Sequence, residues 1–83
     1  MAVEVTLRYW AGARAAAGTE QESVQSATVA AALESARAAH PELGPVIDRS
    51  SILVDGRNLS ADHRSTPLAA ATTVEVLPPF AGG

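Results

Sequence analysis

The chain contains no cysteine and no lysine. Without cysteine there is no disulfide framework, no iron–sulfur cluster, no thiolate zinc site and no thiol nucleophile. All six basic residues are arginine, so no side-chain amine is present for Schiff-base chemistry or for isopeptide links between copies. Aromatic residues number three, Tyr9, Trp10 and Phe80. No apolar run approaches the ~20 residues that a membrane-crossing helix needs. At the start, Met1-Ala2-Val3-Glu4 places a carboxylate where a secretory leader would require an apolar stretch. Positive charge is scattered and the net charge is -3, which argues against nucleic acid as a partner. The expectation is a cytoplasmic protein that engages neither nucleic acid nor membrane.

What is present suits one small domain of 83 residues. The apolar fraction of 47% includes 18 alanines, leaving 21 larger apolar side chains for a core. Each stabilises by roughly 1.5–3 kcal/mol when fully buried, against an ordering cost of about 1–2 kcal/mol per residue. A chain of this composition can fold, but a buried catalytic cleft is hard to accommodate. It is not expected to be an enzyme on its own.

Hydrophobic periodicity gives the order of elements. Val3, Val5, Leu7 and Tyr9 alternate with polar residues, the pattern of a half-buried strand. Trp10 to Ala17 is alanine-rich and ends at Gly18, predicting a short helix with a glycine stop. Glu20 to Gln25 is polar enough for an edge strand. Thr28 is an N-cap candidate for a helix to about His40, stopped by Pro41. Along it Val29, Leu33, Ala36 and His40 share one face. With Gly44 and Pro45, Glu42 to Ser51 reads as a loop with room for one helical turn near Val46-Ile47. Ile52-Leu53-Val54 runs into the turn pair Asp55-Gly56, and Asn58-Leu59 begins the return. Thr66-Pro67-Leu68 marks another turn, and Thr73 to Leu77 is a final strand with Val74 and Val76 on one face.

This order predicts an α+β fold: a small mixed sheet with one main helix packed across one face. It resembles the ubiquitin-like β-grasp, in which the first and last strands run parallel at the sheet centre. That resemblance implies a folded domain over 1–77, a tail over 78–83, and a tail root close to Tyr9, Trp10 and Arg14.

The tail is Pro78-Pro79-Phe80-Ala81-Gly82-Gly83. Two prolines favour an extended polyproline II course, and six residues at ~3.1 Å each reach roughly 20 Å. Phe80 is a natural anchor for a partner's pocket. Gly82 and Gly83 lack Cβ atoms and can thread a narrow channel. The one reactive group here is the terminal carboxylate of Gly83, a poor electrophile until activated, for instance as an acyl-adenylate made with ATP. The chain has no glycine-rich phosphate loop, so the activating site is expected on a partner and no cofactor is expected on this chain.

Together, Val5-Thr6-Leu7-Arg8-Tyr9-Trp10-Ala11, the following Ala13-Arg14-Ala15-Ala16-Ala17-Gly18, and Val74 through Gly83 resemble the ThiS/MoaD-type sulfur carriers, most of all the small subunits of molybdopterin synthase. The resemblance implies a partner similar to ubiquitin-activating enzymes that adenylates Gly83. A persulfide donor would then generate a thiocarboxylate, and the tail would deliver sulfur to a pterin precursor in the large synthase subunit. The sites expected are Gly83 and Gly82 for the chemistry, and Pro78, Pro79, Phe80 and Ala81 of the tail, with Trp10 near its root, for partner binding. Two features depart from the family pattern: Ala69-Ala70-Ala71-Thr72-Thr73 replaces an Asp/Gly-rich turn, and Trp10 stands where phenylalanine is frequent.

Other readings remain open. The same tail would serve a carrier for thiamine, cysteine or a specialised sulfur-containing metabolite, or a ubiquitin-like modifier of target proteins. An interaction module with an inert tail is a further class. Among catalytic candidates, His40 at a helix end reads as structural, and Asp62-His63-Arg64 as a solvated loop. Asp55 and Glu75 have no sequence-evident partner for acid–base work. No metal-ligand cluster is visible. Arg8 and Arg14 could join Trp10 in a docking surface, or simply be solvated.

Overall fold

The computed structural model describes residues 1–79. Five strands form one mixed sheet: β1 (Val3–Tyr9), β2 (Gln21–Ser26), β3 (Ser51–Val54), β4 (Arg57–Asn58) and β5 (Thr72–Leu77), in the order β2-β1-β5-β3-β4. The first and last strands are neighbours and parallel, with Leu7 opposite Val74 and Tyr9 opposite Val76. The other pairings are antiparallel. This is the expected β-grasp, and β2 is the expected edge.

Three helices accompany the sheet, α1 (Ala11–Ala17), α2 (Val29–Ala39) and α3 (Leu43–Arg49). The core unites the inward residues Val5, Leu7, Tyr9, Ile52, Val74 and Val76 with Ala13 of α1, Val29, Leu33 and Ala36 of α2, and Leu43 and Ile47 of α3. Thr28 caps α2 as expected, its hydroxyl accepting from the Ala31 N–H at 3.0 Å. Gly18 ends α1 with φ +74°, the left-handed conformation that glycine adopts without a Cβ penalty. Asp55 and Gly56, at φ +50° and +84°, make the two-residue hairpin turn between β3 and β4.

The segment read as a loop from Glu42 to Ser51 instead holds the two-turn helix α3. Pro45 is its third residue, where a backbone N–H has no intrahelical partner, so the ring removes no hydrogen bond. Leu43 and Ile47, one turn apart, bury their side chains on the core. A 3-10 turn over Ala61–His63 precedes Thr66-Pro67, and the Thr66 N–H bonds the His63 carbonyl. No helix among the described residues is long and apolar enough to cross a membrane.

Candidate functional site

The pole of the sheet where β1 and β5 end is where the tail begins. The Trp10 N–H donates to the Val76 carbonyl at 3.2 Å, extending the parallel ladder one residue past β1. Its indole Nε1–H donates to Glu75 Oε2 at 3.0 Å, joining positions 65 residues apart in sequence. Trp10 is half-buried. The guanidinium carbons of Arg8 and Arg14 lie 5.2 and 5.7 Å from its ring centroid, within range of cation–π attraction. Arg14 also donates from Nε to the Tyr9 carbonyl at 3.4 Å, and its guanidinium stands 4.0 Å from Glu20.

Local sequence explains how this comes about. Arg8 and Glu75 project to the open face because their neighbours Leu7, Tyr9, Val74 and Val76 point into the core. The register sets Arg8 directly across from Glu75. After Trp10 the chain turns sharply into α1, with Ala11 at φ +47°, a conformation costing an L-residue about 1–2 kcal/mol. Past Leu77, which pairs with Ser51, Pro78 is half-buried and Pro79 exposed.

The structure thus brings together Trp10, Pro78 and Pro79 from the sequence-derived set, with Arg8 and Arg14 beside the indole. Phe80, Ala81, Gly82 and Gly83 lie outside the described residues. Glu75, without an evident partner in the sequence, is the acceptor for Trp10. Asp55 is structural, its Oδ1 accepting the Thr73 N–H at 3.2 Å.

A second cluster was not apparent in the sequence. The Tyr9 hydroxyl donates to Glu22 Oε2 at 2.5 Å, and His40 Nε2 lies 2.8 Å from the same oxygen. The Tyr9 and His40 rings meet edge to face, 6.4 Å between centroids. Burial first, and then the hydrogen bond and charge of Glu22, push the Tyr9 phenol well above its ordinary range. His40 therefore has a specific partner at the end of α2. Among the described residues no three His, Cys, Asp or Glu side chains converge as a metal site would require. An apolar groove of about 230 Å³, lined by Val29, Val54, Leu59, Pro67 and Leu68 among others, lies toward the opposite end of the sheet.

The ThiS family model matches residues 7–83. The chain belongs to the ThiS family. Its fold is that of solved relatives. Small archaeal modifier protein 1 from Methanosarcina acetivorans is 26% identical with a TM-score of 0.85, covering 100% of this chain and 99% of that one. A putative molybdopterin converting factor subunit 1 from Pyrococcus furiosus is 28% identical with a TM-score of 0.74, covering 94% and 99%. A chain from the solved complex of subunits 1 and 2 of the Helicobacter pylori molybdopterin-converting factor matches at 17% identity and a TM-score of 0.71, covering 98% of this chain and 100% of that one, a likeness of fold. No curated protein matches the chain significantly. The chain is thus a ThiS-family domain with the small ubiquitin-like β-grasp fold of these relatives.

Proposed function

We propose that the chain is a sulfur carrier whose Gly83 carboxylate is activated by a ubiquitin-activating-like enzyme and becomes a thiocarboxylate. The observation that carries this reading is the parallel β1–β5 pair, with Trp10 bonded to Glu75 and Val76, immediately before residues 78–83. It provides a rigid root for the residues that follow, 78–83. Attack of the carboxylate on ATP gives acyl-adenylate and pyrophosphate. A persulfide's outer sulfur then displaces AMP to form an acyl disulfide, and a second thiol on the donor closes on the inner sulfur. The products are the thiocarboxylate and a donor disulfide.

Sulfur delivery in molybdopterin synthesis, in the active site of a large synthase subunit, is the destination we favour. It is supported by the resemblance of the tail and by the Pyrococcus relative's description as a converting factor subunit. The work of this chain is presentation: Pro78 and Pro79 stiffen the approach, Phe80 anchors it and the two glycines pass the constriction. ATP is bound by the activating partner, and this chain holds no cofactor. The site of action is the cytoplasm.

The test is intact mass after incubation with ATP, a sulfur donor and an activating enzyme. A gain matching one oxygen replaced by sulfur, absent from a chain lacking Gly83, supports the carrier role. Failure with several enzymes that load other carriers would overturn it. The likeness to the Methanosarcina modifier protein favours a second reading, attachment of Gly83 to target proteins. That reading predicts higher-mass species on denaturing gels that vanish when Gly83 is removed. Because the chain has no lysine, copies would not be linked through each other's side chains.

A further inference from the structure

Glu75 occupies a position that burial does not explain. It lies on the open face of the central strand, with Arg8 across from it on one side and Leu53 on the other. Glutamate is depleted from strands, and its long side chain adds nothing to the core from this face. What it does is accept the Trp10 indole N–H at 3.0 Å. The backbone bond from Trp10 to Val76 fixes where the residue sits, but leaves χ1 and χ2 free. Arg8 and Arg14 flank the ring at 5.2 and 5.7 Å and attract it without fixing its direction, since an ion over a π face imposes little angular restraint. A hydrogen bond to a carboxylate is shorter and more directional. Of the groups around the indole, Glu75 is the one that sets its orientation.

We propose that Glu75 is a positioning residue for recognition of the tail. It holds the Trp10 indole beside the end of β5, so that an activating partner meets the indole already oriented where that strand ends. This rests on the carrier reading above and adds a residue to it. A partner that reads Trp10 in a fixed orientation does not have to immobilise the ring on binding. Loss of Glu75 therefore weakens encounter with the partner and leaves the acyl-transfer step unchanged.

Trp10 is the single tryptophan, so its emission reports this contact directly. The experiment compares wild type, E75A, E75Q and W10F in two measurements. The first is indole emission and acrylamide quenching of the free proteins, which W10F serves as a blank. The second is the kinetics of pyrophosphate release with the enzyme that adenylates the wild-type chain. In E75A the emission moves to longer wavelength and quenching rises, while E75Q, which keeps an acceptor oxygen, stays near wild type. The KM of E75A for the activating enzyme rises roughly tenfold with kcat within about twofold, and E75Q restores it. The double variant E75A/W10F loses no more than W10F alone.

A KM in E75A within about twofold of wild type, alongside a loosened indole, would overturn the proposal. So would unchanged emission in E75A, whatever the kinetics. If E75A fails to fold, E75L, which keeps the bulk and removes the acceptor, and the W10F cycle built on E75L decide: additive losses there count against the proposal, and shared losses support it. A wild-type chain that no activating enzyme adenylates overturns the carrier reading and the recognition role with it. The emission measurements in that case still establish separately whether Glu75 holds the ring.

Discussion

The Tyr9 hydroxyl and the His40 imidazole meet on one carboxylate oxygen of Glu22, at 2.5 and 2.8 Å. That shared acceptor ties the end of β1, the edge strand β2 and the end of α2 into one polar contact at the rim of the core.

Its pH dependence follows from Tyr9. The phenol is raised in the folded protein above its ordinary value of 10.0, so the unfolded chain loses that proton first as pH rises. The contribution of Tyr9 to stability is complete below pH 10 and is lost progressively above it. Tyr9→Phe should lower stability by about 1–3 kcal/mol at neutral pH and flatten the alkaline decline. Denaturant titrations at neutral pH and above pH 10 check both. Tyrosinate absorbance from this single tyrosine should appear together with unfolding and not before it.

Thr28→Ala removes the acceptor for the Ala31 N–H. It should destabilise the protein by about 1 kcal/mol, and Thr28→Ser should recover most of the loss. Thermal unfolding of the three proteins side by side measures the difference.

Gly18→Ala should cost about 1–2 kcal/mol. Beyond its own chain neighbours no heavy atom lies within 4 Å of a Cβ placed there, while φ is +74°. The penalty is therefore conformational and not steric, and Gly18→Asn should be milder than Gly18→Ala, because asparagine tolerates the left-handed region better. A clash would give the opposite order in denaturant midpoints.

Phe80→Ala tests the tail as an anchor. Its unfolding midpoint should match wild type, while affinity for the activating or acceptor partner falls by at least about tenfold, the loss typical of a buried aromatic anchor. Calorimetric titration with the partner is the direct measurement.

Most of the fold was legible because it rests on local pattern. The alternation of Val5, Leu7 and Tyr9, the Thr28 cap and the Asp55-Gly56 turn each report their own element within a few residues. α3 was not legible, because Gly44 and Pro45 are breakers in the middle of a helix but tolerated in its first turn. Which case applies depends on where the helix starts. At the candidate site the sequence placed Trp10 beside the tail through the β-grasp resemblance. It could not show that Glu75 accepts from the indole, nor that His40 finds Glu22, since both contacts depend on sheet register and helix docking. Gly82 and Gly83 were singled out by their place behind Pro78-Pro79-Phe80 after the last strand, and lie outside the described residues.

The place of β5 in the sheet has a consequence in time. It is the last strand in the sequence, yet it lies between β1 and β3. Until it is synthesised, the pair β2-β1 and the pair β3-β4 share no ladder, and the core lacks Val74 and Val76. Folding must wait for a contact between distant parts of the chain, a slow class of event. A chain interrupted before Thr72 would lack both the completed sheet and every residue of the tail. Such fragments would fall to proteases as unfolded polypeptide before they could occupy a partner as folded but tailless competitors.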